Sequence, residues 1–342
     1  MKIRWETFEV EPRHPFEISR STRTRETLVW VRIETDGIEG WGEADPSGYY
    51  GETAATVQAA LETLRPVVER AIDPEGLDVL ERELRSALGG NGSAHAAVSA
   101  ALHDLVGKRL GRPLWRLWGL DPAQSPFSSF TIGIDEPEAM ARKAREADSY
   151  PILKIKLGTD RDEEMLAAVR GAAPGKRLRV DANAAWTPRQ AVDRIAMAVD
   201  YEVEFVEQPL PPDDVEGLRF LRERSALPII LDESCMVARD IPRLVGLTDG
   251  INIKLAKCGG PREALRMIHT ARACGLRVMM GCMLESTLGI APAAHLAPLM
   301  DYVDLDGAAL LKDDPFRGPG IDAAGRIVLN DRPGLGVELP AA

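Results

Sequence analysis

The chain is poor in the residues that staple, span or grip nucleic acid. Aromatics are 5% of its 342 residues, and there are five histidines and four cysteines. Cys235, Cys258, Cys274 and Cys282 form no C-x-x-C pair and no metal-ligand spacing, which excludes a disulfide scaffold or zinc ribbon and points to a reducing compartment. Lys and Arg number 42 against 53 Asp and Glu, for a net charge of −11, so the basic footprint of a nucleic-acid binder is missing. No apolar run is long enough to span a bilayer, and the opening MKIRWETFEVEPRHPF has no apolar signal-peptide core. What is present, 45% hydrophobic and 28% charged residues, suits a soluble cytoplasmic protein of about two domains.

The first third reads as an α+β unit. Residues 27–34 (TLVWVRIE) are rich in β-branched and aromatic residues and run into Asp36-Gly37, a hairpin signal. Residues 54–72 and 94–108 carry apolar residues at three- and four-residue spacing and are expected to be helices. From about residue 127 the pattern changes. Eight short apolar runs, 127–134, 152–158, 178–183, 203–209, 227–234, 250–257, 276–282 and 302–307, alternate with amphipathic stretches such as 136–149, 161–172, 188–199, 213–225 and 262–274. That alternation argues for βαβ units, and eight parallel strands close a barrel. No long helix pattern follows the eighth run. The expected fold is therefore α/β, a modified TIM barrel of the (β/α)7β kind, with a doubly wound open sheet as the alternative. The expected division is an α+β capping domain over 1–118, the barrel over 119–315, and a tail over 316–342 that packs back on the capping domain.

Polar residues recur late in these strands: Lys154 and Lys156 in LKIKLG, Asp181 in VDAN, Glu207 in VEQP, Asp232 in LDES, Lys254 in NIKLAK, Cys282 in MMGC, and Asp304 with Asp306 in VDLDG. Counted from Lys156 to Asp306, the successive separations are 25, 26, 25, 22, 28 and 24 residues. One such group per repeat puts them all at the C-terminal rim, where barrel enzymes work. Asp181, Glu207 and Asp232 come from consecutive strands, and three converging carboxylates need a cation. Taken singly, each reads equally as a solvated strand end or a helix cap. Together, with no His or Cys nearby, they suit Mg²⁺. Asn183 and Glu233 are adjacent candidates for supporting polar contacts.

Lys154 and Lys156 are two apart and so point the same way, into the mouth. Side by side, and near a metal ion, they are expected to have depressed pKa values and to offer a neutral amine near pH 7. Lys254 lies four strands round, on the opposite wall, while Lys257 is expected outside the mouth. Two opposed bases astride a metal-bound carbon acid can exchange a proton between its two faces, which is racemisation or epimerisation through a Mg²⁺-held enolate. A lone lysine reads equally as snorkelling into solvent. The five histidines, His14, His95, His103, His269 and His295, fall off this series and are expected in core or surface roles.

KIK, DAN, EQP, DES and NIKLAKCGG, in that order and spacing, resemble the muconate-lactonising branch of the enolase superfamily along nearly the whole chain. The resemblance implies an α+β capping domain over a (β/α)7β barrel, with Lys154 stabilising an enolate and Lys156 and Lys254 as acid/base groups. The D-x-D of Asp304 and Asp306 is similar to that of the dipeptide epimerases, where it grips the α-ammonium group of the dipeptide. By the same resemblance 15–24 (PFEISRSTRT) is the mobile capping loop, with Arg23, or failing it Arg20, pairing with the side-chain carboxylate of a C-terminal Glu. Thr131 and Cys282 match substrate-contacting positions.

The implied activity is Mg²⁺-dependent epimerisation of a dipeptide, foremost L-Ala-D/L-Glu from peptidoglycan turnover, with a homo-oligomer compatible with it. Rivals on the same frame are N-acylamino acid racemisation, o-succinylbenzoate synthesis and muconate cycloisomerisation. A non-catalytic barrel that binds an acidic metabolite through the metal is the rival of a different class. Loops around residues 16–23 and 49–52 are expected to build the side-chain pockets.

Overall fold

The computed structural model describes residues 1–338. The N-terminal unit is a three-stranded antiparallel sheet in the order β1 (Lys2–Val10), β4 (Glu26–Thr35), β5 (Ile38–Ala44). Between its first two strands runs a small hairpin, β2 (Phe16–Ile18) and β3 (Ser21–Arg23). Asp36 and Gly37 make the two-residue turn between β4 and β5 with φ of 53° and 75°. Positive φ at both positions is what the right-handed twist of the flanking strands demands.

Three helices, Ala54–Arg70, Leu77–Ala87 and Gly92–Arg109, cover one face of the sheet. Alternate residues of β4 (Val29, Val31, Ile33) meet Leu61, Leu64, Leu102 and Leu105 in one core. Contact with the last helix is unusually close. A Cβ at Gly40 would stand 2.0 Å from Ala101 O, and one at Gly42 2.1 Å from Ala97 O. The helix between 77 and 87 escapes the sequence pattern because its buried stripe, Leu80 and Leu84, is short and follows directly on Pro74 and Gly76.

Eight parallel strands follow in unbroken spatial order: β6 (Phe130–Ile132), β7 (Ile152–Lys156), β8 (Arg177–Asp181), β9 (Val203–Glu207), β10 (Ile229–Leu231), β11 (Gly250–Ile253), β12 (Arg277–Gly281) and β13 (Tyr302–Asp304). The ring closes where Ser128 pairs with Val303 and Ser129 N donates to Val303 O at 3.0 Å. This is the expected modified barrel. Six α-helical crossovers and one 3₁₀ crossover (Ala238–Leu244) join the strands, and among the described residues only the four-residue helix Gly307–Leu310 follows β13. The crossover helix Thr287–Leu296 shows no amphipathic signal because it is buried on nearly all sides.

Period-two alternation decides what each strand buries. In β7, Leu153 and Ile155 face outward onto Met140, Met165 and Val169 of the flanking helices, while Lys154 and Lys156 face inward. One layer below the rim, Phe205, Ile230, Met279 and Tyr302 fill the barrel. The Arg179 guanidinium lies between the Phe205 and Tyr302 rings, 5.2 and 4.9 Å from their centroids. Arg179, Phe205, Ile230 and Tyr302 precede the rim acids by two positions, so the site rests on a packed floor rather than a pore. The chain then returns to the N-terminal unit: Leu335 N donates to Asp104 Oδ1 at 2.8 Å and Leu114 N to Gly334 O at 3.1 Å. Of the tail expected over 316–342, residues 339–342 lie outside the described residues. No helix among the described residues is long and apolar enough to cross a membrane.

Candidate active site

Strand register builds the site. Lys156 pairs with Asp181 and Asp181 with Glu207, so three rim residues stand on one rung of β7, β8 and β9. Asp232 follows β10, and Lys254 follows β11, four strands from β7 in the ring. Asp181, Glu207 and Asp232 are fully buried, and Lys154, Lys156 and Lys254 nearly so. Lys154 Nζ lies 2.8 Å from Asp304 Oδ2, 2.8 Å from Glu207 Oε2 and 3.1 Å from Asp181 Oδ2. Lys156 Nζ bonds Asp181 Oδ2 at 2.6 Å, and Lys254 Nζ lies 2.9 Å from Asp232 Oδ2. All three lysines line one cleft.

Tight turns hold the acids. Asn183 and Gln208, just past β8 and β9, take left-handed backbone with φ of 45° and 34°. That conformation is strained for any residue with a side chain. It lets Asn183 N donate to Asp181 Oδ1 at 2.8 Å, and it aims Gln208 Oε1 at Asp232 N, 3.0 Å away. Asn252 Nδ2 donates to Glu207 Oε1 at 2.8 Å. Asn252 escaped notice in the sequence, although it stands two residues before Lys254 on the same strand face, a spacing that could have exposed it.

Lys257 does not line the cleft, but it is not a solvated bystander either. Its buried ammonium bonds the carbonyls of Asp232 and Asn252 at 2.6 and 3.1 Å and lies 2.5 Å from Asp232 Oδ1, so it is the post that fixes the Asp232 turn. Nor is Lys154 neutralised. Burial works to lower Lys154, but the charges of Asp304, Glu207 and Asp181 outweigh it and raise its pKa well above the usual value. Burial likewise opposes, and Asp232 prevails in, the raised Lys254. Like-charge repulsion between neighbours is the smaller effect because each ammonium touches a carboxylate.

The acids respond in kind. Burial pushes Asp181 up, yet Lys156 and Lys154 hold it far below the carboxylate range; Asp232 is held down likewise by Lys254 and Lys257. Burial and then the Asp181 charge push Glu207 up to about 7. Among the described residues no three acid, imidazole or thiol groups are drawn together as a formed ion cage. The donor set nevertheless fits a cation. Glu207 Oε2 and both Asp232 carboxylate oxygens are buried and accept no hydrogen bond, their ammonium neighbours notwithstanding. An all-oxygen set of three carboxylates suits Mg²⁺.

The remaining candidates line the same cleft: Arg23, Thr131, Cys282, Asp304 and Asp306, together with Arg20. Asp304 accepts from Ser129 Oγ at 2.6 Å, and Asp306 Oδ2 from Thr131 N at 2.6 Å. Burial and then Asp304 push Asp306 up to about 7, while Asp304 itself, despite burial, is held down by Lys154. Arg23 Nη2 reaches Ser47 Oγ at 3.3 Å and its Nε lies 3.2 Å from Glu26. Arg20 is engaged differently. Its guanidinium meets Glu233 at 2.8 Å, donates to Asn183 O at 2.9 Å and lies over the Tyr49 ring at 4.0 Å. It clasps two capping segments to the metal-side turns, a role that no motif announces.

Comparison with known proteins agrees in extent with this architecture. Residues 2–119 match the mandelate racemase / muconate lactonizing enzyme N-terminal domain, and residues 137–342 match the enolase C-terminal domain-like family. An L-Ala-D/L-Glu epimerase of Bacteroides thetaiotaomicron is 40% identical over 98% of this chain and 88% of its own length. The substrate-liganded L-Ala-D/L-Glu epimerase of Bacillus subtilis superposes with a TM-score of 0.94 at 33% identity, covering 100% of both chains. The dipeptide epimerase of Enterococcus faecalis, solved with Mg and L-Leu-L-Tyr, gives 0.92 at 35% identity over 98% of this chain and 99% of that one.

Proposed function

Because the chain belongs to the mandelate racemase / muconate lactonizing enzyme family of the enolase superfamily, we propose that it is a Mg²⁺-dependent dipeptide epimerase acting on L-Ala-D/L-Glu. The observation that carries this is the pair Lys156 and Lys254, four strands apart and lining one cleft, with Asp181, Glu207 and Asp232 at the ends of the three strands between them. Mg²⁺ held by those three acids supplies Lewis-acid stabilisation of the substrate carboxylate and of the negative charge that develops there. One lysine, as the free amine, takes the α-proton of the C-terminal residue. The other, as the ammonium, returns a proton to the opposite face, so configuration inverts and protons balance. By family resemblance Lys156 serves the R epimer and Lys254 the S epimer. Lys154, the most deeply buried of the three, offsets the developing charge.

Asp304 and Asp306 hold the substrate ammonium, a role their buried, hydrogen-bonded carboxylates are preorganised for. Arg23 pairs with the Glu side chain from its place in the cleft between Ser47 and Glu26, whereas the Arg20 guanidinium is turned to Glu233 and Asn183 on the barrel turns. Thr131 and Cys282 shape the walls. Such a dipeptide is a product of peptidoglycan turnover. The net charge of −11 and four free thiols favour a reducing cytoplasm. The test is incubation with L-Ala-L-Glu and Mg²⁺ in D2O. Formation of L-Ala-D-Glu bearing one deuterium at the Glu α-carbon is expected; binding without solvent deuterium would instead leave a non-catalytic acid-binding barrel.

A further inference from the structure

Beside the active-site cleft lies a second chamber, open to solvent on one side and walled by Pro15, Phe130, Tyr150 and Ile321. Phe16, Thr131 and Leu310 line both spaces and form the partition between them. Phe16 is held from two directions. It pairs with Arg23 across the β2–β3 hairpin, and the neighbouring Glu17 O accepts from Ile134 N at 2.9 Å. Its ring lies 3.6 Å from where a Cβ at Gly133 would stand, so the glycine leaves room for the ring. Leu310 ends the helix Gly307–Leu310, and its carbonyl accepts from Arg13 N at 2.8 Å.

The partition stands beside the acids assigned to the ammonium. Thr131 N donates to Asp306 Oδ2, and Thr131 Oγ1 lies 3.4 Å from Asp304 Oδ1. After burial, the Asp306 charge is the next cause raising the Tyr150 phenol, which lines the chamber. An ammonium held at these acids puts the N-terminal α-carbon next to Thr131 and turns its side chain toward the partition. Several of the chamber's polar groups already have partners, while His14 and Glu146 stand on its rim. Lys143 meets Asp135 at 2.9 Å, Ser149 Oγ donates to Ala323 O at 2.5 Å, and Asp322 accepts from Ala324 N at 2.8 Å and Arg326 N at 2.9 Å. The wall beside the partition, Pro15, Phe130 and Ile321 with Phe16 and Leu310, is apolar and suits a hydrocarbon or aromatic side chain.

We propose that Phe16 and Leu310 form the wall that limits the dipeptide's N-terminal residue to a small side chain, and that the chamber behind accepts a large apolar one when that wall is cut back. The inference rests on the dipeptide reading above. Its test compares the unmodified enzyme, Phe16→Ala and Leu310→Ala on L-Ala-L-Glu and L-Phe-L-Glu with Mg²⁺, following inversion by chiral chromatography. The unmodified enzyme is expected to favour L-Ala-L-Glu, and either variant to raise the kcat/KM ratio of L-Phe-L-Glu to L-Ala-L-Glu by about tenfold or more. Adding Ala323→Trp, which fills the chamber away from the cleft, is expected to reverse that gain. The wall is overturned if the unmodified enzyme takes both dipeptides equally, or if neither variant shifts the ratio while retaining L-Ala-L-Glu turnover. Turnover of neither dipeptide by the unmodified enzyme strikes the dipeptide reading itself.

Discussion

The barrel rim and the capping hairpin above it meet in one cleft but are held by different means. Each rim group sits at the end of a strand locked between two neighbours, and its side chain is all but sealed from water. The hairpin strands Phe16–Ile18 and Ser21–Arg23 have three residues each, and they are pinned to the barrel by a few bonds: Ile134 N to Glu17 O, Ser19 Oγ to Ala182 O, and the Arg20 clasp. Rigid strands fix the chemistry to the accuracy that catalysis requires, whereas a lightly held hairpin can change what it admits without disturbing the bases. Substitutions in the two regions should therefore fail in different ways.

The largest effect belongs to the rim. Glu207→Gln removes a charge from the ion site and is expected to cut kcat by at least about a thousandfold. Calorimetric titration with Mg²⁺ alone should show the lost ion binding, and undiminished Mg²⁺ affinity would remove Glu207 from the ligand set. Next come the acids of β13. Asp306→Asn should lower kcat/KM for L-Ala-L-Glu about a hundredfold by unpairing the ammonium. An N-acylated substrate, which has no ammonium, should be little affected. An equal loss on both would point to a structural role for Asp306 or to one of the acylated-substrate reactions.

The hairpin should respond more gently. Arg20→Ala is expected to raise KM about tenfold while kcat moves less, because it frees the clasp and leaves the bases in place. Faster tryptic cleavage at Arg23 and Arg25 would accompany it. A collapse of kcat with unchanged KM would place Arg20 in the chemistry instead. The smallest effect lies away from both regions. His295 Nδ1 accepts from Trp115 N, and Nε2 is turned to Leu335 O. Burial pulls its pKa down to about 4. The unfolded chain takes up a proton below about 6.5 while the folded chain does not, so this contribution to stability is complete above that pH. It falls away toward pH 4, by up to about 3 kcal/mol. Chemical denaturation of His295→Gln across that window should show a flatter acid limb; an unchanged limb would mean that other groups carry it.

The same contrast explains what could be read from the sequence. Period-two alternation and the recurring βα spacing made Lys154, Lys156, Asp181, Glu207, Asp232 and Lys254 legible, because regular elements translate spacing into direction. Phe16–Arg23 was legible only as a loop, because its two short strands owe their shape to partners more than a hundred residues away. The Lys257 contact with Asp232 was not legible, because the strand ends at Ile253 and a four-residue helix, Leu255–Cys258, turns the lysine back toward the Asp232 turn. The Lys154 charge state was misjudged because spacing gives the neighbours but not their distances, and three carboxylates stand within 3.1 Å of its ammonium.

The central claim is that two amines reach one α-carbon from opposite sides, and deuterium exchange by Lys156→Ala and Lys254→Ala tests it most directly. With Mg²⁺ in D2O, Lys254→Ala should abolish inversion yet still wash deuterium into L-Ala-D-Glu, and Lys156→Ala should do so only with L-Ala-L-Glu. Loss of exchange from both epimers in either folded, Mg²⁺-binding variant would contradict the two-sided site.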